Sequence, residues 1–166
     1  MSVLRIIIDT REQNPLAFPE HLATTRRGTL QTGDYALECD FGFAIERKSL
    51  DDYVATVTGA KSWPRFQREL YRMTEAGFPA RVVVVEGSQA DILAHAYASP
   101  KVQPPFVFKR TAELLLAGVV VHFADDADLA AGYVYMLLRE RANWLAQTTA
   151  NKQLAQATEK ETADAR

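Results

Sequence analysis

The sequence predicts one α/β domain, a central mixed β-sheet flanked by α-helices. Three observations carry this. Short apolar runs, "VLRIII", "RVVVV" and "VVVHF", read as strands, the first central and the second buried. Stretches with helical start signals stand between and after them. A chain of 166 residues, 48% hydrophobic and 24% charged, can bury one sizeable core but is short for two domains.

The elements follow in order. Residues 3–8 form a central strand that delivers Asp9 at its end. Residues 10–28 carry two prolines and no stable period, which reads as loop. Strands at 34–38 and 43–47, joined by "CDFG", make a hairpin. Ser49 and Asp52 form an S-x-x-D capping box for a helix ending near residue 57, where "TGAK" interrupts it. A second helix starts near Pro64 and stops before Gly77, with Phe66, Leu70 and Met73 on one face. After a strand at 81–87, Ser88 and Asp91 repeat the capping box ahead of "ILAHAY". "KVQPPFVF" reads as loop leading into a helix that ends near Gly118, followed by a strand at 119–123 and a long helix over 126–147. A domain over 1–150 and a polar, alanine-rich tail over 151–166, either a helix extension or disordered, complete the expected organisation.

Composition excludes several classes. A formal net charge of −2 argues against a generally basic nucleic-acid-coating protein while leaving local basic patches open. The only cysteine, Cys39, cannot make an internal disulfide or a Cys-based zinc site, which suits an intracellular protein whose metals sit on oxygen. "LLLAGVVVHFA" falls short of the roughly 20 residues of a membrane helix, and the N-terminus lacks signal-peptide features. His21, His95 and His122 show no ligand spacing and read as structural.

The chemistry concentrates in the hairpin. Side chains alternate along a strand, so Glu46 and Lys48 share one face and Arg47 takes the other, while Asp34 on the partner strand can reach Glu46's face. Two carboxylates roughly 4 Å apart repel by about 4 kcal/mol at an effective dielectric near 20, and a divalent cation between them turns repulsion into a site. A lysine beside such a cation can orient water or stabilise charge on a phosphodiester being hydrolysed. Arg65, Arg68 and Arg72 recur at helical spacing, either as a solvated face or as phosphate contacts, with Arg26 and Arg27 a weaker pair in the loop. Gly33 serves backbone geometry, and Glu86 reads as a surface strand end. Leu129, Tyr133, Met136, Leu137 and Trp144 form a stripe on the last helix, core by default.

Asp34, eleven intervening residues, then Glu46-Arg47-Lys48 fits the D-x(n)-E-x-K arrangement of the restriction-endonuclease-like superfamily. "IIIDTREQNPL", "TGDYAL", "FAIERKSLDDYVATV" and "VVVVEG", in that order, resemble the XPF/Hef-type nuclease domain over roughly residues 3–147. The resemblance implies a restriction-endonuclease-like core and a Mg2+- or Mn2+-dependent DNA endonuclease that acts near branches or flaps in repair or recombination. It implies a homodimer, with the α-helical stripe as a candidate seam, and an intracellular location with DNA, which is the cytoplasm or nucleoid if the source is prokaryotic or viral. By that resemblance Asp34 and Glu46 bind metal, the Arg47 carbonyl completes the shell, Lys48 is catalytic, and Asp9 binds metal directly or through water. Arg11 contacts phosphate, and Glu12 and Asp52 support the ligands from behind, although the capping box alone also explains Asp52. Family members that recognise branches usually add a helix-hairpin-helix or helicase module, for which this chain has no room, so a separate targeting or helicase partner is expected. A non-catalytic DNA-binding or scaffold subunit of the same fold, or a resolvase or defence nuclease, are the alternatives.

Overall fold

The computed structural model describes residues 3–164. Six strands form one sheet in the order β2-β1-β3-β4-β5-β6. They are β1 (Leu4–Asp9), β2 (Ala23–Gly28), β3 (Tyr35–Leu37), β4 (Ile45–Ser49), β5 (Arg81–Glu86) and β6 (Val119–Phe123). The helices are α1 (Leu50–Thr58), α2 (Ser62–Glu75), α3 (Gln89–Leu93), α4 (Pro104–Leu116) and α5 (Ala127–Asp164). β3 is antiparallel to both β1 and β4, and the pairs β1·β2, β4·β5 and β5·β6 are parallel, so the sheet is mixed. The parallel pairs β4·β5 and β5·β6 are joined by helical crossovers, as parallel neighbours require.

The two faces have different covers. On one, Ile6, Ile8, Tyr35, Ile45, Val82 and Val84 pack with Ala130, Val134 and Leu138 of α5. On the other, Val83 and Val85 pack with Val54, Phe66, Met73 and Val107 of α1, α2 and α4. This explains why β5 is apolar at every inner position: both of its faces are buried. Beside the second layer, under β1, β3 and β4, Ile7, Leu30, Ala36 and Ala44 form a separate small cluster touched by Phe78.

Several local expectations change. The segment expected to be loop over 10–28 contains β2, which pairs parallel to β1 from Leu4↔Ala23 to Asp9↔Gly28. As an edge strand it buries only Ala23 fully and exposes Thr24 to Arg27, so it shows no apolar alternation to read. Pro104 and Pro105 open α4 instead of preceding it, because the first helical turn needs no N–H donor there. Residues 151–164 continue α5, the extension form of the expected tail, and their alanine-rich composition favours helix. The α5 stripe is not simply core: Leu129, Met136 and Trp144 are each more than half exposed, and Ala130, Ala131, Val134 and Leu138 do the packing.

Candidate active site

The hairpin register positions the site. Tyr35 pairs with Ile45 across the antiparallel β3·β4 junction, which puts Asp34 opposite Glu46 on the same sheet face. Gly33 lets the chain enter β3 at a positive φ of 76°, and a Cβ there would lie 2.8 Å from the Ala44 Cβ, so only glycine fits. Asp34 is fixed further by its Oδ2, which accepts the Arg47 N–H at 2.8 Å. Glu46 is parallel-paired with Val83 and is buried. Lys48, two residues on, donates from Nζ to Glu46 Oε1 at 2.9 Å and sits 5.0 Å from the centre of the Phe66 ring.

The electrostatics are those of acids held together. Burial, then the Glu46 charge, pushes the Asp34 carboxyl up to about 8. Burial also raises Glu46, against the lowering effect of the Lys48 ammonium. Burial pushes Lys48 down, but Glu46, Asp34 and Glu69 outweigh it and hold the ammonium above its ordinary value. One cation thus offsets two clustered carboxyls only in part.

The remaining expected residues fall into distinct places. Asp9 is fully buried and both its oxygens are engaged: Oδ1 accepts the Arg11 N–H and Nε at 2.8 and 2.6 Å, and Oδ2 accepts the Leu30 N–H at 2.7 Å. Burial pushes the Asp9 carboxyl up, yet these hydrogen bonds outweigh it and hold it below the usual carboxylate range. In this structure Asp9 organises the Arg11 turn. The Arg11 guanidinium is 61% exposed and close enough to feel the charges of Glu69 and Asp34. Arg47 turns its side chain away from the acids, to Glu86 at 2.5 Å and Glu12 at 3.6 Å. Glu86 is therefore not a surface terminus but the partner that fixes Arg47, and Glu12 also accepts the Asn14 N–H. Asp52 lies exposed in the first turn of α1, where its N–H donates to Ser49 Oγ at 3.2 Å. Arg26 is paired with Glu38, and Arg27 donates to the carbonyls of Asp9 and Glu12, so both have local work.

Arg65, Arg68 and Arg72 are all exposed on α2. Between them sits Glu69, which acts electrostatically on Glu46, Lys48 and Arg11 and so faces the site. Arg65 and Arg72, at i−4 and i+3 from Glu69, share its side of the helix, whereas Arg68 is turned further round. Glu69 was missed in the sequence because it stands inside an arginine pattern. The available signal is its position at the border of the Phe66–Leu70–Met73 stripe.

Among the described residues, no three His, Cys, Asp or Glu side chains are arranged as a complete metal-ligand set. Asp34 and Glu46 nonetheless fit a hard divalent cation, because Mg2+-type ions commonly take only one or two protein carboxylates and fill the remaining positions with water and substrate phosphate. Two desolvated acids forced upward in pKa are the chemical complement of such an ion. No helix among the described residues is long and apolar enough to cross a membrane.

No curated protein matches the chain significantly. Among solved structures, XPF from Aeropyrum pernix superposes with a TM-score of 0.64 at 22% identity, covering 88% of this chain and 69% of that one. XPF from Aeropyrum pernix in complex with DNA superposes with a TM-score of 0.63 at 21% identity, covering 84% of this chain and 66% of that one. The model of the ERCC4 domain matches residues 8–137, the span that holds the hairpin acids, Lys48 and the arginines of α2. On that match the chain belongs to the ERCC4 domain family.

Proposed function

We propose that the chain is a divalent-metal-dependent DNA endonuclease that hydrolyses phosphodiester bonds. The observation that carries this is the Asp34·Glu46 pair, set face to face by the hairpin register, with Lys48 on Glu46 and both carboxyls raised. A non-catalytic subunit gains nothing from keeping such an arrangement, which costs folding stability without a ligand. Family membership and the DNA complex of the Aeropyrum pernix protein support DNA as the substrate.

Asp34 and Glu46 would hold Mg2+ or Mn2+, with the Arg47 carbonyl as a further donor; such an ion would supply positive charge at the scissile phosphate and lower the pKa of a bound water. Lys48 stands beside Glu46. When substrate arrives, its ammonium can leave Glu46 and donate to the phosphate oxygen on which charge develops. Arg11, Arg65 and Arg72 line the approach as phosphate contacts that set register but carry no sequence information. Arg68, further round α2, contacts the flanking backbone. The Arg47–Glu86–Glu12 ion pairs act by position: they fix β4 against β5 and the Arg11 loop, and so hold Asp34 and Glu46 in place.

A twofold homodimer accompanies this reading. The exposed Leu129, Met136 and Trp144 on α5 supply apolar surface for it, and a second DNA-contacting surface raises effective concentration on a substrate. Preference for branched or flapped DNA, and a separate targeting or helicase partner, belong to the same proposal. The deciding experiment incubates the protein with Mg2+ or Mn2+ on single-stranded, duplex, flap, fork and four-way-junction DNA. Metal-dependent nicking that is abolished in Glu46→Ala supports the assignment; no cleavage of any substrate with either metal refutes it.

A further inference from the structure

The hairpin that pairs Asp34 with Glu46 places a second pair beside it. Continuing the Tyr35↔Ile45 register, Ala36 stands opposite Ala44 on the same sheet face, two residues along each strand and therefore roughly 7 Å from the acids. Both are buried, and their small side chains leave a cavity of about 290 Å³ above them. Phe41 and Phe78 wall it, and Gln31 and Thr32 lie along its edge.

Two features of this cavity suit a ligand. Phe41 is 72% exposed at the tip of the hairpin, yet that tip is held firmly. Asp40 beside it is buried, accepts the Gly42 N–H at 3.0 Å, and takes two hydrogen bonds from the Arg141 guanidinium of α5 at 2.6 and 3.2 Å. An aromatic ring held on an anchored turn beside the cavity offers a face on which a flat ligand can stack. The second feature is Thr32, 5% exposed, whose Oγ1 has no hydrogen-bond partner. A buried hydroxyl without a partner is destabilising, and Thr32 is one of the residues that line the cavity.

We propose that this cavity receives one unstacked nucleobase of the strand being cut, next to the scissile phosphate. The inference rests on the nuclease reading above and names the substrate feature it would select. The Ala36·Ala44 floor admits a flat ring, Phe41 offers its face for stacking, and Gln31 and Thr32 offer hydrogen-bond groups to the base edge. The cavity floor lies two residues from the carboxylates along the same two strands, a spacing that lets the base next to a phosphate at Asp34 and Glu46 reach it. A base in intact duplex is paired and stacked and cannot enter without that cost, so occupancy selects DNA whose strand is single-stranded beside the cut.

The test measures binding of the full chain in EDTA, by fluorescence anisotropy, to flap DNA in which a single abasic residue is moved stepwise past the cleavage position. Cleavage of the same set is followed separately with Mg2+ and Mn2+. For the native protein, the abasic residue lowers affinity about tenfold at one position only. Phe41→Ala lowers affinity for the intact flap by the same factor, shows no further loss on that abasic substrate, and leaves blunt-duplex affinity unchanged. The ring is exposed, so the melting temperature of this variant stays that of the native protein. Thr32→Val, close in shape, removes the unpartnered hydroxyl; it raises the melting temperature and weakens the intact flap several-fold but not the abasic one. Independent losses from Phe41→Ala and the abasic site, or equal affinity at every abasic position, overturn the proposal. If cleavage occurs while every abasic position is neutral, the cavity assignment fails and the nuclease reading stands. If discrimination holds in EDTA and neither metal supports cleavage, the nuclease reading fails and the base site stands.

Discussion

Replacing Asp34 with Asn isolates the repulsion on which the proposed metal site depends. Asn keeps the shape of the side chain and an oxygen that can accept the Arg47 N–H, but it cannot ionise. The native carboxyl sits at about 8 rather than 3.8, so in metal-free protein the folded state binds a proton more tightly than the unfolded state. A proton held more tightly by the folded chain makes stability fall as pH rises. The loss begins as the unfolded Asp ionises, near pH 4, and is complete above pH 8. At about 1.36 kcal/mol per pKa unit, the full shift sets a ceiling of roughly 6 kcal/mol. Part of it is repulsion from Glu46, which protonation of either acid relieves, so we expect Asp34→Asn to be about 2 kcal/mol more stable than the native protein at pH 8 and equal to it at pH 4. Urea unfolding in EDTA at pH 4, 6 and 8 measures this. Adding Mg2+ at pH 8 should then stabilise the native chain and leave the variant unmoved, since a ligand stabilises only the state that binds it. A variant that is less stable than the native protein at pH 8, or a difference that does not change with pH, would refute the argument that desolvated, repelling acids form the site.

Other outcomes follow from the same geometry. Asp34→Ala or Glu46→Ala abolishes metal-dependent cleavage in the nicking assay while folding is retained, whereas Lys48→Ala reduces cleavage at least a hundredfold and keeps calorimetric metal binding, because the lysine acts on the phosphate. Glu86→Ala leaves the Arg47 guanidinium, only 12% exposed, with the more distant Glu12 alone and costs about 2 kcal/mol in denaturant unfolding; Glu86→Gln, which can still accept a hydrogen bond, recovers part of it. Arg65→Ala with Arg72→Ala weakens DNA binding across sequences and lowers the salt dependence of log K by about one unit per lost phosphate contact, with Arg68→Ala producing the smaller change. Light scattering at micromolar concentration should give a dimer mass, and Met136→Lys with Trp144→Glu should give a monomer; a native monomer with full cleavage activity returns α5's exposed stripe to solvent.

Local pattern alone was sufficient for much of this protein. The uninterrupted valines mark β5 as a buried strand and β6 as a strand, Phe66, Leu70 and Met73 recur at the helical period, and Ser88 with Asp91 writes a cap that the structure forms in both directions. Alternation within β4 also sufficed to put Glu46 and Lys48 on one face and Arg47 on the other. What local pattern could not carry is anything settled by residues far apart in the chain. β2 has no periodicity of its own and becomes a strand only because β1 offers it an unpaired edge. Asp34 stands opposite Glu46, not a residue to either side, through the long-range register of a hairpin whose loop is too irregular to dictate it. Arg47 finds Glu86 thirty-nine residues away because β4 and β5 run parallel, and that contact, not exposure, decides what Glu86 does. The partners that Asp9 meets at its strand end, Arg11 and Leu30, and the approach of Glu69 on α2 close enough for its charge to act on Glu46, are likewise set by the fold. A carboxylate's chemistry depends on what solvates it, and only the folded chain supplies that environment.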